Sequence, residues 1–189
     1  MQRFLYKENV NLITQQHPNV LDELRSNRVY IPDPSRIDDE YYRDAYNWLI
    51  ERMPSINPYE SKTVVWNWPG KRVKCSVRSK GDISIRYTVP RETVLFSEYI
   101  HWHDVLNSCN CTINEKEFDR LNDLNVLDKS TWERILDLNI NNHPDTDLSW
   151  IGTRRLYQVT TWHIDLQEVD RIFDGRGNLL YTRKKGFIS

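Results

Sequence analysis

The chain has 189 residues and a mass of 22.7 kDa, the size of one ordinary domain. Hydrophobic residues make up 39% of it and aromatic residues 12%, with seven Trp, so a packed core can form despite a mean hydropathy of −0.71. The net charge of −1 excludes a highly basic chromatin-type protein, and the short apolar runs exclude a transmembrane helix and predict no signal peptide. Three cysteines do not suggest a disulfide framework, so we expect a cytoplasmic protein and exclude a secreted mini-protein.

The first half of the chain predicts two helices followed by strands. A short helix is predicted over 17–24 and a longer amphipathic helix over 38–53. A strand over 64–68 precedes a β-hairpin, whose arms at 73–78 and 83–89 alternate between apolar and polar residues. The polar face of this hairpin is strongly basic.

The middle of the chain predicts helices. A short buried strand is expected over 94–96, and Ser97 is expected to cap a helix that runs to about Asn107. Further helices are predicted over 114–124 and from Ser130, where a capping box begins.

The last third returns to strands. Residues 156–166 are rich in β-formers and predict a central or near-central strand, and a turn over 174–178 predicts a second hairpin before a basic tail. Because strands and helices do not alternate as βαβ units, the predicted class is α+β, with helices packed on a mostly antiparallel sheet. We expect one domain over 1–189, with the hairpin and tail at 171–189. The core is expected to include Tyr46, Leu49, Ile50, Phe96, Leu106, Trp132, Ile135 and Trp162.

Charge is unevenly distributed along the chain. Between Lys62 and Arg91 the sequence contains eight Lys or Arg and one acid. Residues 115–147 contain nine acids and four bases. The chain is therefore bipolar, and its acidic region could dock a protein partner.

Five segments carry a family resemblance. They are Tyr46–Leu49, Val65–Trp68, Val89–Asn107, Thr131–Leu138 and Gln158–Val169. The most specific is the third, which contains Val-Pro, then Val-Leu-Phe-Ser, then Trp-His-Asp-Val-Leu-Asn. In this order and spacing the segments resemble an uncharacterised bacterial family, domain-of-unknown-function family 3841, over about residues 40–173. The resemblance implies a fold and no reaction; the small size and Asn-rich composition also suit a bacteriophage gene.

Histidines and cysteines near residue 100 are residue types that bind metals, but the spacing of these residues argues against a metal site. His101 and His103 lie two residues apart on a predicted helix, where their side chains diverge, and Cys109 and Cys111 are too close for the usual zinc spacing. We therefore expect neither a metal nor a cofactor.

The sequence contains no decisive catalytic motif. The six glycines form no phosphate-binding loop. Ser97 with His101 or His103 supplies the residue types of a hydrolase, but neighbours on one short helix rarely reach the required geometry.

Tryptophans and basic residues together suggest a binding cleft. Trp66 and Trp68 share one face of a predicted strand, where a base or sugar could stack, although an aromatic core is the simpler explanation for most of the seven Trp. The basic face of the following hairpin could hold phosphates, and a solvated outer face is its simpler explanation. The candidate residues are Trp66, Trp68, Arg72, Arg78, Arg86, Ser97, His101, His103 and Gln158.

A second hypothesis is an enzyme. The strand near Gln158 resembles the last core strand of ADP-ribosyltransferase-type folds, which use a nucleotide or NAD and carry a catalytic Glu there. Here the corresponding residues are Gln158-Val159-Thr160, and the next Glu is Glu168. The sequence therefore favours a binding protein for a nucleotide or nucleic acid, with an enzyme or a protein-binding regulator as alternatives and no membrane partner.

Overall fold

The computed structural model describes residues 7–36, 40–70 and 81–188. Within these residues, eight strands form one antiparallel sheet in the order β10-β9-β8-β4-β1-β3-β6-β5, and β2 pairs with β7 apart from it. The strands are β1 (Asn9–Gln16), β2 (Val29–Tyr30), β3 (Val65–Pro69), β4 (Ile83–Pro90), β5 (Leu95–Glu98), β6 (Tyr157–Thr161), β7 (Ile164–Asp165), β8 (Val169–Phe173), β9 (Leu179–Thr182) and β10 (Gly186–Phe187). The predicted α+β class with a large antiparallel sheet is thus confirmed.

The helices are short. The α-helices are α1 (Asn19–Asn27), α2 (Glu40–Ile50), α3 (Tyr99–Leu106), α4 (Glu115–Asp123) and α5 (Leu148–Ile151). Segments of 3₁₀-helix occur at Pro34–Arg36, Arg91–Thr93, Lys129–Leu136 and Ile140–Asn142.

The chain forms two compact units. The first, which we call the sheet unit, comprises residues 1–36, 53–95 and 159–189; the second, the helical unit, comprises 37–52 and 96–158. Strands β5 and β6 each run from one unit into the other along the chain.

Alternation of side chains explains the sheet unit. In β4, Ile83, Ile85, Tyr87 and Val89 are buried, while the residues between them are half-buried. The antiparallel partner β1 places Leu12 opposite Tyr87 and Val10 opposite Val89, so directly opposed apolar side chains fill one face. The other face of β4 carries Arg86 and Thr88.

A buried polar network ties three of these strands together. The Tyr87 hydroxyl donates to Asn67 Oδ1 at 2.7 Å and lies 3.0 Å from Thr161 Oγ1. Asn67 in turn donates to the carbonyl oxygens of Val65 and Val159. Burial raises the pKa of Tyr87, so the phenol stays protonated and can donate.

The helical unit has its own aromatic core. Trp132 is fully buried, its ring meets that of Trp48 edge to face, and its Nε1 donates to the carbonyl oxygen of Cys109 at 2.8 Å. Beside it, Arg134 binds the Glu117 carboxylate with two nitrogens, at 2.6 and 2.8 Å.

Several predicted boundaries are wrong. The region 156–166 is not one central strand: it divides into β6 and β7, and β6 is the second strand from an edge of the sheet. The helix predicted from Ser130 is 3₁₀-helix, and the helix predicted over 38–53 occupies Glu40–Ile50 in the described residues. Glu98 rather than Ser97 caps α3, because the Glu98 side chain accepts from the backbone nitrogen of His101.

The predicted core is partly confirmed. Leu49, Phe96, Trp132, Ile135 and Trp162 are buried, whereas Tyr46, Ile50 and Leu106 keep partial exposure. Strand β1, which the sequence analysis did not predict, lies between β4 and β3 within the sheet.

Candidate functional site: a basic groove on the open face of the sheet

The two tryptophans of β3 lie on the less buried face of the sheet, which we call the open face. Val65 and Asn67 are buried, whereas Trp66 and Trp68 are half-buried, as expected for side chains that alternate along a strand. The prediction that the two tryptophans share a face is therefore confirmed.

Strand register places basic residues in line with Trp68. Trp68 is opposite Ile13 of β1, Ile13 is opposite Arg86 of β4, and Arg86 is opposite Arg171 of β8. Directly opposed residues of antiparallel strands project to the same side of the sheet. One row across four strands thus carries an aromatic ring at one end and two guanidinium groups at the other.

A groove of about 890 Å³ lies over this basic end. It is lined by residues of β1, β4, β8 and β9 and of the turn after β9. The lining residues are Asn11, Leu12, Gly70, Arg86, Tyr87, Thr88, Asp170, Arg171, Leu179, Thr182, Arg183, Lys184 and Lys185. Five of these are Lys or Arg and one is an acid, so the groove is positively charged.

The acid of the groove is already engaged. Asp170 accepts from the Thr88 hydroxyl at 2.8 Å and forms an ion pair with Arg183 at 3.2 Å. Among the described residues no carboxylate pairs with Arg86 or Arg171. Their charge is therefore available to a ligand.

Arg86 is held in place by an aromatic ring. Its guanidinium carbon lies 4.7 Å from the centre of the Phe173 ring, and its Nε is buried and makes no hydrogen bond within the described part of the chain. A guanidinium that stacks on a ring is restricted in position, which favours its binding to an anionic oxygen.

Two predicted site residues, Arg72 and Arg78, lie outside the described residues. Of the predicted basic hairpin, the structure describes the second arm, which is β4.

Four other predicted site residues belong to the helical unit and do not line the groove. Ser97 and Gln158 are buried, and Ser97 Oγ and Gln158 Nε2 make no hydrogen bond to any described residue. His103 is exposed, and its Nδ1 lies 3.0 Å from the carbonyl oxygen of Tyr99. The structure therefore does not bring the predicted set into one cleft.

His101 joins a buried charged cluster instead of activating Ser97. Its Nδ1 lies 3.2 Å from Glu98 Oε2 and 3.3 Å from a nitrogen of Arg155, and Arg155 Nε donates to Asn141 at 2.8 Å. The pKa of Glu98 is lowered: hydrogen bonds from His101 outweigh the opposing effect of burial. Since Ser97 Oγ makes no hydrogen bond to any described residue, no general base is placed against it within that part of the chain.

Sequence reasoning missed four cations of the groove. Arg171 comes from a strand distant in sequence, and Arg183, Lys184 and Lys185 follow β9 in what the sequence analysis took for a tail. The alternating pattern of 169–173 could have placed Arg171 on the polar face of its strand, but nothing local pairs that strand with β4.

The comparisons with known proteins address the family alone. No helix in the described ranges is long and apolar enough to cross a membrane. The chain matches no curated protein and no solved structure. A family model, described as Domain of unknown function (DUF3841), matches residues 11–129, which begins earlier and ends earlier than the region predicted from the sequence. Since this match covers more than half of the chain, the chain belongs to that family.

Proposed function

We propose that the protein binds a phosphate-bearing ligand, a nucleotide or a single-stranded nucleic acid, in the basic groove of the sheet unit. The observation that supports this most directly is the pair Arg86 and Arg171, directly opposite each other on adjacent strands with no described carboxylate between them. Like charges in this position destabilise a sheet. A bound phosphate would relieve the repulsion and accept hydrogen bonds from both guanidinium groups.

The rest of the groove suits the same ligand. Lys184 and Lys185 are exposed and add two charges at the turn after β9. Thr88, Asn11 and Thr182 supply neutral polar groups. This mixture of fixed cations and neutral hydrogen-bonding side chains is typical of sites that hold a phosphate backbone.

The tryptophans give the ligand a second point of attachment. Trp68 is two strands from Arg86 along the row, which at the usual strand spacing is roughly 10 Å. That separation suits a ligand whose base stacks on an indole while its phosphate reaches the arginines. Trp66, on the same face of β3, could stack a neighbouring base.

Binding should be measured at two salt concentrations with fluorescently labelled ATP, a dinucleotide, and short single-stranded DNA and RNA. The charge-reversing pair Arg86→Glu with Arg171→Glu should weaken binding at least tenfold, because it removes two charge-assisted contacts and adds repulsion. Arg43→Glu, an exposed arginine of α2, is the matched control and should bind like the parent. If the double variant and the control bind equally well, the groove is not the site.

Stacking is tested separately. Trp68→Ala should weaken the same ligand by about 1–3 kcal/mol if a base rests on the indole. Trp150→Ala, which removes a partly exposed tryptophan of the helical unit, should have no effect on this binding. Absence of binding by every probe at both salt concentrations would reject the proposal.

The compartment proposed for this role is the cytoplasm. Among the described residues Cys109 and Cys111 are free thiols, the first exposed and the second buried. Free thiols are usual where the environment is reducing.

A second candidate function, protein binding through the acidic region 115–147, gains support from an exposed apolar surface in the helical unit. Phe118, Leu124, Val126 and Leu127 are each more than 40% exposed. Phe118, Val126 and Leu127 line a groove of about 320 Å³, beside the exposed acids of α4.

An apolar surface next to acids fits a basic amphipathic segment of another protein. Fluorescence polarisation with a labelled Leu/Lys amphipathic peptide tests this. Leu124→Ser with Val126→Ser should weaken its binding, whereas Leu156→Ser, an exposed leucine preceding β6, should not. Failure of the peptide to bind, or equal binding by both variants, would reject this second function.

A further inference from the structure

A second cavity in the sheet unit shares no lining residue with the basic groove and has the opposite character. It has a volume of about 200 Å³. Its lining comprises Ile56, Pro58, Tyr59, Val89, Pro90, Thr93, Thr161, Trp162, His163, Asp165 and Glu168. It therefore combines three aromatic rings, two carboxylates and several apolar side chains, and none of its described lining residues is Lys or Arg.

The aromatic walls are fixed in place. The Tyr59 and His163 rings meet edge to face, with centroids 4.6 Å apart. The Tyr59 hydroxyl donates to Asp165 Oδ2 at 2.9 Å, and Trp162 Nε1 donates to the carbonyl oxygen of Pro54 at 2.7 Å. A rigid wall of this kind loses little entropy when a ligand binds.

Within the described ranges, the carboxylates of the cavity have no cationic partner. In the described residues, neither Asp165 nor Glu168 forms an ion pair. Arg183 donates instead to the backbone oxygen of Glu168 and pairs with Asp170. Two partly buried carboxylates at one cavity repel each other, and a cation bound between them would remove that cost.

One further acceptor is unused. His163 Nδ1 is buried and makes no hydrogen bond within the described ranges. Burial lowers the pKa of His163, so the imidazole is neutral at pH 7 and one ring nitrogen can accept a hydrogen bond. The site thus offers carboxylate oxygens and the rings of Tyr59, Trp162 and His163 together.

We propose that this cavity binds a small organic cation, an alkylammonium or guanidinium group, between the Asp165 and Glu168 carboxylates and the rings of Tyr59, Trp162 and His163. The N–H donors of such a group pair with carboxylates, and its charge is attracted to aromatic faces. A metal ion fits less well, because the described residues contain no group of three or more His, Cys, Asp or Glu placed to hold one.

The volume limits the ligand to a few heavy atoms. Butylammonium and butylguanidinium match the apolar side chains with their alkyl chains and the carboxylates with their heads. Fragments of this size bind in the millimolar range at ordinary ligand efficiency. Neutral butanol, of similar shape, lacks both the charge and the extra donors.

Calorimetry and NMR titration with butylamine, butylguanidine and butanol test the proposal. We expect saturable binding of at least one cation and none of butanol. Glu168→Gln and Asp165→Asn should each weaken the cation at least tenfold at pH 8, consistent with the loss of a charge-assisted hydrogen bond. Asp22→Asn, an exposed acid of α1, is the control of equal charge change and should bind like the parent.

The pH dependence of cation binding distinguishes a direct role of Glu168 in binding from a merely structural role. Glu168 faces Asp165 and, less closely, Arg183, with Tyr59 and His163 lining the same cavity. Burial and Asp165 raise the pKa of Glu168 to about 7, so affinity should rise between pH 6 and 8 and the Glu168→Gln variant should lose this rise.

Two outcomes would overturn the proposal: no saturation by either cation, or unchanged affinity in both carboxylate variants. Displacement of butylamine by Mg²⁺ or Ca²⁺ at equal concentration would also overturn it, in favour of an inorganic cation. Short blocked peptides containing Lys or Arg distinguish the source of the cation: tighter binding than butylamine indicates a protein side chain, and equal or weaker binding indicates a free small molecule. Either result is independent of the phosphate-binding groove, which shares none of these residues.

Discussion

Trp48 and Trp132 meet edge to face in the helical unit, with ring centroids 5.7 Å apart and planes at 89°. Trp48 comes from α2 and Trp132 from the 3₁₀ segment Lys129–Leu136, so one contact joins segments that are far apart in the sequence. The Arg52 guanidinium lies 4.2 Å from the Trp48 ring centre and the Lys129 amine 5.2 Å from that of Trp132. Each ring of the pair therefore has a cationic side chain over it.

Trp132→Ala should destabilise the protein by about 3–5 kcal/mol, because it empties a fully buried site and leaves the carbonyl of Cys109 without its indole donor. That is a large part of the stability of a typical domain. Urea denaturation followed by circular dichroism measures the change. Trp150→Ala, at a tryptophan that is 39% exposed, should cost much less. Equal midpoints for the two variants would contradict this description of the core.

Tyr87→Phe should destabilise the sheet unit by about 1–3 kcal/mol, although it removes only one oxygen atom. Asn67 Oδ1 would lose its donor at 2.7 Å, and Thr161 Oγ1 its neighbour at 3.0 Å, in a place that water does not reach. Chemical denaturation of the variant gives the value. Tyr42→Phe, at an exposed tyrosine of α2, is the control. Stability equal to that of the parent would show that the network contributes nothing.

Local pattern predicted those elements that depend on neighbours in sequence. The alternation of 83–89 predicted β4, and the turn at 174–178 predicted the hairpin of β8 and β9. Strand β1 was missed although Val10, Leu12 and Thr14 also alternate, since its Asn and Gln residues are poor strand formers. Pairing with β4 along all eight residues of β1 compensates for this composition.

The candidate groove was predicted only in part, for a similar reason. Trp66, Trp68 and Arg86 project from the open face because alternation on a single strand dictates it. The contact of Arg86 with Arg171 depends on β4 pairing with a strand more than eighty residues later, and no local pattern contains that pairing. The prediction that Ser97 caps α3 failed because the longer Glu98 side chain, one residue later, reaches the backbone nitrogen of His101 at 2.8 Å.

Arg134→Met should cost about 1–3 kcal/mol at pH 7, through loss of a two-pronged ion pair with Glu117 and of a hydrogen bond to the carbonyl of Cys111. Arg134 holds the pKa of Glu117 below its ordinary value. A carboxyl with a lowered pKa in the folded state stabilises above its unfolded pKa, and this contribution disappears as the pH falls through the folded value. The stability difference between parent and variant should therefore shrink as the pH falls below 4.5, the ordinary pKa of a Glu side chain. A difference that stays constant from pH 7 to pH 3 would show that the charge of Glu117 is irrelevant.

Glu168→Gln should stabilise the protein at pH 8 and have little effect at pH 5. Burial and the neighbouring Asp165 raise the pKa of Glu168 to about 7 in the folded chain, above the value of a free Glu near 4.5. Between these two pH values the folded state binds more protons than the unfolded state, so the contribution of Glu168 to stability falls as the pH rises through 7. Because the carboxyl is partly solvated, we expect a gain of about 1 kcal/mol for the variant at pH 8 rather than the full value of the shift. Thermal denaturation of parent and variant from pH 5 to 8 measures it, with Asp22→Asn as the exposed control. If the variant is less stable than the parent at pH 8, then Glu168 is stabilised as a carboxylate, and the cavity already satisfies its charge without a ligand.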